Sequence, residues 1–376
     1  MLRCVVLSGM VCLLSAVAAR SQAASDAKPP LSDQTFKNVQ ALKGIPVNEF
    51  MATMGFISAS LGETCTDCHI AESGGSWDRY ADDTPRKRTA RRMIGMVSAI
   101  NKQYFAGQRV LTCYSCHRGG ERPRVTPNLA ELYGPPHPEE PDQLVREGPN
   151  KPTAEQVLDR YLAAIGGPQR LGAVKSFTAK GTYKGFSDID KNALDLFAKA
   201  PNLRTTVIHT ANGDSTTVFD GRAGWTAAPA TDSPVAVLEL TGGELDGARL
   251  DAELAFPAQI KQTLKQWRVA YPATIDDKDM QVVQGTIDGR YPVNLYFDSK
   301  TGLLARLVRY ADSPIGLSPT QIDYSDYRDV SGIKMPFHWT VTWLDGRAII
   351  ELTQVQANAA IDGSRFAKPA PVPAKK

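Results

Sequence analysis

Histidine is scarce in this chain, with five in 376 residues. Three of them, His137, His209 and His338, stand far from one another in sequence, so imidazole ligands drawn from them would have to reach across the chain. Cysteine is nearly as rare: six in all, with Cys4 and Cys12 in an N-terminal apolar stretch and the other four in two close pairs. No pair is left over for a structural disulfide in a chain trimmed of that stretch. Beyond it, no run is long and apolar enough for the ~20 residues of a spanning helix. Nor is there an excess of charge of one sign; a net charge of +3 lacks the basic field that phosphate backbones require, so nucleic acid is excluded as a partner. Hydrophobic content of 42% is that of an ordinary globular chain, and the length allows about two domains.

What the chain does have is one short string, twice. Cys65-Thr66-Asp67-Cys68-His69 and Cys113-Tyr114-Ser115-Cys116-His117 both read Cys-x-x-Cys-His, the spacing that attaches a c-type haem. Two thiols add across the haem vinyl groups and the adjacent imidazole takes one axial position of the iron. Covalent capture also suits a small domain with little core to grip a cofactor. Zinc knuckles use paired cysteines too, but normally closer together in sequence. A thioredoxin-like dithiol wants a strand before it, and neither string follows a strand pattern. The expected cofactors are therefore two covalently bound haem c groups, held by Cys65, Cys68, Cys113 and Cys116, with His69 and His117 as proximal ligands.

Residues 1–23 read as an export signal: Arg3, an apolar stretch over 5–19, then small residues around Ser21-Gln22-Ala23. An uncleaved anchor is the alternative. Export places the protein in the periplasm, where c-type haem is attached, with membrane association left open.

The expected fold class is α+β in two domains. In the first, residues 31–122, Phe50, Met54, Ile57 and Leu61 fall on one helical face, and Gly62 stands where a helix-ending glycine belongs. A second helix starts with Thr84 as N-cap and Pro85 at the first position, and Met93, Val97, Ile100 and Tyr104 repeat the stripe. The order helix, motif, helix, motif describes a duplicated dihaem cytochrome unit. Residues 123–152 are a Pro-rich linker. In 153–367, Thr153 caps a short helix closed by Gly166-Gly167, and strand patterns follow at 177–183, 205–209, 216–219, 236–240, 282–287, 293–297, 304–309, 337–343 and 349–355. Turns are expected at Asp298-Ser299-Lys300-Thr301-Gly302 and Asp345-Gly346. A helical stretch over 245–267, broken near Pro257, interrupts this antiparallel, half-barrel-like sheet. Residues 368–376 read as a disordered tail.

The second axial position of each iron separates an electron carrier from an enzyme, because a protein ligand there closes the metal. Methionines are placed for it: Met51 and Met54 in the first helix, Met93 and Met96 in the second. On an apolar helical face they are equally readable as core residues, so one ligand per pair is the expectation. The basic run Arg86, Lys87, Arg88, Arg91 and Arg92 reads either as a solvated face or as cations for haem propionates or an acidic redox partner. Arg118, beside the second histidine, carries the same two readings.

Residues 36–124 resemble the haem-binding repeats of the cytochrome c subunit of photosynthetic reaction centres. The resemblance rests on Met54 followed by Ser60-Leu61-Gly62 and the first motif. It rests equally on Arg92-Met93-Ile94-Gly95-Met96, Ala99-Ile100-Asn101 and the string from Cys113 to Gly119. It implies Met54 as axial ligand of the first haem and Met93 of the second, with Met96 as the stand-in. Two motifs stand here where the best-known members of that family carry four haems, and no histidine near Gly107 matches the family's helix histidine. More weakly, the sheet part resembles periplasmic lipoprotein-carrier proteins, through an opening helix and a late strand–turn–strand around Tyr296-Phe297-Asp298 and Thr301-Gly302. That resemblance implies a concave face able to hold a hydrophobic ligand.

The sequence thus points to a periplasmic dihaem c-type cytochrome passing electrons between redox partner proteins of the cell envelope, with no catalytic residues of its own. Two alternatives stand beside it: a peroxidase-like haem enzyme with one open iron, and a lipid or lipoprotein binder whose haem module senses redox state.

Overall fold

The structure, a computed structural model, describes residues 28–70, 77–134, 152–186, 188–287 and 291–373. The export-signal reading, His137 and most of the Pro-rich linker lie outside these residues.

The N-terminal part is helical: α1 (Ser32–Thr35), α2 (Val47–Leu61), α3 (Cys65–Cys68), α4 (Pro85–Tyr104), α5 (Cys113–His117) and α6 (Leu129–Leu132). The local signals for α2 and α4 are realised. Gly62 takes the left-handed conformation at φ 64° as the C-cap of α2. Thr84 Oγ1 accepts from Lys87 N at 3.2 Å, with Pro85 at the first helical position. The burial of α2 runs against its sequence pattern. The stripe Phe50, Met54, Ile57 and Leu61 is only half-buried, whereas Asn48, Thr53, Gly55, Phe56 and Ser60 are covered. Covered hydroxyls need partners; Thr53 Oγ1 donates to Glu49 O and Ser60 Oγ to Phe56 O, both at 2.7 Å.

That covered face is the dock onto the second part of the chain. The Phe56 ring fills the space a side chain at position 316 would take, since a Cβ on Gly316 would stand 2.3 Å from it. Asn48 Nδ2 donates to Thr241 O at 3.1 Å, and Trp77 Nε1 donates to Ala230 O at 3.1 Å. Arg109 pairs with Asp312. Among the described residues before 135, Val47 and Phe56 are the only buried hydrophobic side chains.

After the helices α7 (Ala154–Ala164) and α8 (Pro168–Ala173), the chain enters an open antiparallel sheet. Its first strands are β1 (Ser176–Lys184), β2 (Asn192–Lys199), β3 (Leu203–Thr210), β4 (Gly213–Phe219), β5 (Gly224–Ala227) and β6 (Val237–Glu239). The helix α9 (Gly242–Leu254), a 3-10 turn (Pro257–Gln259) and α10 (Ile260–Thr263) follow. The sheet resumes with β7 (Lys265–Val269), β8 (Ala273–Ile275), β9 (Lys278–Thr286) and β10 (Pro292–Asp298). It ends with β11 (Leu304–Ser313), β12 (Gly316–Val330), β13 (Ile333–Trp343) and β14 (Gly346–Ala357). Strand order is β6-β5-β4-β3-β2-β1-β14-β13-β12-β11-β10-β9-β7, with β8 on β9. The pairing of β1 with β14, from Phe177 opposite Ala357 to Lys184 opposite Ile349, ties the start of this unit to its end. The α+β reading holds, with helices gathered first and one large sheet after them.

The core lies between that sheet and its own helices. Leu158, Tyr161, Leu162 and Ile165 of the opening helix segment and Leu250 of α9 join Leu196, Leu295, Phe297 and Leu307 of the strands in one buried cluster. Each such side chain is worth ~1.5–3 kcal/mol relative to exposure, so this unit carries the stability that the helical part lacks.

Five strands, β2, β5, β7, β8 and β12, escape the sequence pattern, and one helix is overextended. The stretch read as helical to Trp267 ends as helix at Thr263; residues 265–269 instead pair with β9. Strand β2, Asn-Ala-Leu-Asp-Leu-Phe-Ala-Lys, alternates correctly but is built mostly of helix-favouring residues. Strand β12 contains Pro319, which argues against a strand in mid-sheet. Its pairing with β13 begins at Thr320, so Pro319 pairs with Tyr310 alone and its missing N–H costs no ladder bond. At the C-terminus, where a disordered tail is expected, the described residues run to 373 and Val372 lies against Gly213.

Candidate functional site

The first motif forms α3, a single turn capped by its own residues: Thr64 N donates to Asp67 Oδ2 at 2.7 Å. That bond and the one from the Thr64 hydroxyl hold the Asp67 carboxyl below its usual range. His69 follows as the C-cap. Its Nδ1 lies 3.0 Å from Tyr80 O; a carbonyl can only accept, so Nδ1 carries the proton and Nε2 keeps the lone pair a metal would take. The Tyr80 ring stands edge-on to the imidazole, centroids 4.6 Å apart at 84°. Burial, reinforced by the Lys87 ammonium, pushes the His69 pKa down, which favours the neutral ring. Burial pushes the Cys68 thiol up. Lys87 Nζ donates to the same Tyr80 carbonyl at 2.7 Å and to Asp82 O at 2.8 Å.

These groups face a cleft of about 250 Å³. Cys65, Cys68 and His69 form one part of its wall, Phe50, Met51, Met54 and Ile57 of α2 another, and Phe36, Trp77, Tyr80 and Ile94 complete the apolar lining. The half-buried stripe of α2 is therefore the lining of a site. At the rim stand Asn38, Gln40, Lys87 and Arg91. Two thiols, an imidazole with Nε2 as its acceptor, a thioether, an apolar floor and a polar rim are the donor set and lining that would suit a haem c.

The second motif forms α5 with the same kind of cap: Ser115 N donates to Thr112 Oγ1 at 3.3 Å and Thr112 N to Ser115 Oγ at 3.0 Å. His117 Nδ1 lies 3.1 Å from Gly120 O, so the proton again sits on Nδ1. Burial pushes the Cys113 thiol up. Asn101, the only fully covered residue of α4, aims the incoming chain: its Nδ2 donates to Leu111 O at 2.7 Å and its Oδ1 accepts from Leu111 N at 3.0 Å. On α4, the residues that line the first cleft (Lys87, Ala90, Arg91, Ile94) form one stripe. At 3.6 residues per turn, Met93, Val97, Ile100 and Tyr104 form the stripe beside it. Met93 is half-buried and Met96 is 45% exposed.

The flank of the second motif docks on the C-terminal end of α2, just ahead of the first motif. Gly119 N donates to Ser60 O at 3.0 Å, and a Cβ on Gly62 would stand 2.4 Å from Gly119 O. Arg86 bridges Glu63 at 2.9 Å and Glu121 at 3.0 Å, one residue from each motif's flank, and these carboxylates, Glu121 first, raise its pKa. The basic run is thus largely committed within the module: Arg86 to that bridge, Lys87 to Tyr80, and Arg91 to Asp83 at 2.7 Å. Arg88 and Arg118 are exposed.

The remaining described histidines sit on the sheet among carboxylates. His338 lies 3.8 Å from Glu351. His209 Nδ1 is 2.8 Å from Asp214 and Nε2 3.1 Å from Asp195, and these bonds, Asp214 first, raise its pKa above 6.5. A raised folded-state value means the pair stabilises the fold fully below about pH 6.5 and loses that contribution as pH climbs through the higher folded value. In urea titrations, wild type will lose stability between those limits more steeply than His209→Gln. Parallel pH profiles for the two would remove this linkage.

Residues 11–155 match the family model described as the photosynthetic reaction centre cytochrome C subunit. The motif-bearing segment is similar to that subunit. Over 105 residues, 27% of this chain, it is 36% identical to the photosynthetic reaction center cytochrome c subunit of Thermochromatium tepidum, covering 25% of that protein. With the same subunit of Rubrivivax gelatinosus it shares 32% identity over 105 residues, covering 27% of each chain. The chain thus spans about a quarter of the length of these curated relatives. The sheet part is similar to a LolA superfamily protein from Nitrosomonas europaea (TM-score 0.41, 16% identity, 58% of this chain and 99% of that one). It is also similar to a putative outer membrane lipoprotein-sorting protein domain from Vibrio parahaemolyticus (TM-score 0.40, 10% identity, 57% and 97%).

Among the described residues no helix is long and apolar enough to cross a membrane. Two adjoining grooves, of about 300 and 110 Å³, run between the sheet and α9 and share Leu196, Arg204, Asp251, Trp339 and Val341. Sequence reading missed Tyr80, Asn101 and the docking face of α2. The first acts through its main-chain carbonyl, which leaves no trace in residue type.

Proposed function

We propose that this chain is a periplasmic dihaem c-type cytochrome that passes electrons between redox partner proteins of the cell envelope. The observation that carries the proposal is the cleft, where Met54 shares one apolar space with Cys65, Cys68 and His69. A haem held there supplies one-electron chemistry. The protein's part is to fix both sides of the iron and tune it: His69 Nε2 is made available by the Nδ1 bond to Tyr80, and Met54 offers a soft sulfur that favours the reduced state relative to a second histidine. Cys113, Cys116 and His117 would hold the second haem, and the half-buried Met93, on the stripe of α4 beside the cleft-lining stripe, would supply its thioether, with the more exposed Met96 as the stand-in. Apolar walls would limit water at the first iron, and Lys87, whose partners are neutral carbonyls, would offset propionate charge at the rim.

The contact between the motifs' flanks, through Gly62 and Gly119, keeps the two sites near each other and supports electron exchange between them. Expression with haem-attachment machinery should give two haems per chain by peptide mass, one on each Cys-x-x-Cys pair. The reduced protein should bind carbon monoxide slowly or scarcely at all. Rapid binding at one site would replace the carrier reading with that of an enzyme or sensor, and peptides free of haem would end the cytochrome reading.

A hydrophobic ligand in the sheet is a second reading, favoured by the apolar grooves against α9 and by Arg204 between them, whose Nη1 donates to Asp251 O at 3.2 Å. The purified protein should then carry acyl species detectable by mass spectrometry; a clean spectrum removes it.

A further inference from the structure

The first cleft has two sides that must keep their distance: α2, which carries Met54, and the turn Arg79–Ala81, which fixes His69 through Tyr80 O. Both are fastened to one piece of the sheet. The edge strand β6 is preceded by a loop whose Ala230 O accepts from Trp77 Nε1 at 3.1 Å, and Trp77 leans on Tyr80 with ring centroids 5.6 Å apart. Just past the same strand, the Thr241 hydroxyl lies 2.9 Å from Asn48 Oδ1 and 2.8 Å from Glu49 Oε1, and Thr241 O accepts from Asn48 Nδ2. Asn48 and Glu49 open α2, less than two turns from Met54.

We infer that β6 and its two flanks act as a clamp that sets the spacing between His69 and Met54, which makes Trp77 and Thr241 positioning residues for the first iron site. The inference rests on the axial assignment proposed above. Its physical basis is that the described residues before 135 include only two buried hydrophobic side chains, and that inside the module the turn is tied toward α2 by exposed bonds from Asn38 Nδ2 to Ala81 O and Asp83 and by the Phe36–Phe50 stack. The sheet, with its large core, is the stiffer support. A covering segment also removes the hazard of an open sheet edge at β6.

The test uses the full haem-loaded chain and three variants: Trp77→Phe, which keeps the ring and removes the donor; Thr241→Val, which keeps the shape and removes the hydroxyl; and the double variant. Three signals are read at each iron: the sulfur-to-iron charge-transfer absorption, the reduction potential and the carbon monoxide association rate. The expected result is a weakened sulfur band, a lower potential and association faster by on the order of tenfold in the double variant, confined to the site on Cys65 and Cys68. Thr241→Ser should behave as wild type. Signals at the first site that do not move in the double variant overturn the clamp. Equal changes at both sites overturn it as well, because they report general loosening. Peptide mass and Met54→Ala separate this from the functional reading: absent haem, or a sulfur band indifferent to Met54, overturns both, whereas haem present and Met54 ligated with no clamp effect overturns the clamp alone.

Discussion

Met54→Ala will open the first iron site to carbon monoxide and lower its potential, while the site on Cys113 and Cys116 keeps the wild-type signals. The side chain lines the same cleft as His69, and truncating it leaves an apolar space on that side with no second donor except Met51, one turn earlier and also in the wall. Thioether sulfur stabilises the reduced iron, and for a one-electron couple each tenfold loss of that preference lowers the potential by about 59 mV. The change should exceed that of any rim substitution, because a ligand is removed rather than a charge moved. The comparison with Met51→Ala decides the assignment. If Met51→Ala opens the site and Met54→Ala does not, the ligand is Met51.

Gly62→Ala should be the most damaging single change at the contact between the motifs. At φ 64° an alanine costs about 1–2 kcal/mol, and its Cβ would stand 2.4 Å from Gly119 O, an overlap that adds about 1–3 kcal/mol or displaces the second motif. Gly107 provides the control. It has φ 81° and nothing within 4 Å of a built Cβ, so Gly107→Ala carries the backbone strain alone. Thermal unfolding of the haem-loaded protein should show a clearly larger drop for Gly62→Ala. Equal drops would mean that the contact with Gly119 adds nothing.

How much of this was legible follows from where each signal resides. The caps of α2, α4 and α7 are written within a few residues, as are both motifs and the Asp298 to Gly302 turn, where Asp298 Oδ1 accepts from Lys300 N and Thr301 N. The resemblance read from the two motifs agrees with the family match over residues 11–155. The use of the apolar stripe on α2 was not legible, because Phe50, Met54 and Ile57 look alike whether they line a cleft or fill a core. The docking face was hidden for the converse reason: Thr53, Gly55 and Ser60 read as a polar side, and only their neighbours across the sheet, far along the chain, make that side the buried one. The fastening of His69 depends on carbonyls of Tyr80 and Ala230, groups that every residue carries. Strand β12 was masked by Pro319, whose tolerance is set by where β13 stops.

The scarcity of buried hydrophobic side chains among the described residues before 135 has a consequence for the order of assembly. The docking helix α2 is made first, but the surfaces that receive it, β6 and Gly316 of β12, are made some 180 to 260 residues after Phe56. Until those strands have paired, α2 has nothing to dock on, and the four motif thiols belong to an unpacked chain. The chain is thus staged by sequence position, the reactive thiols early and the sheet that supports α2 late.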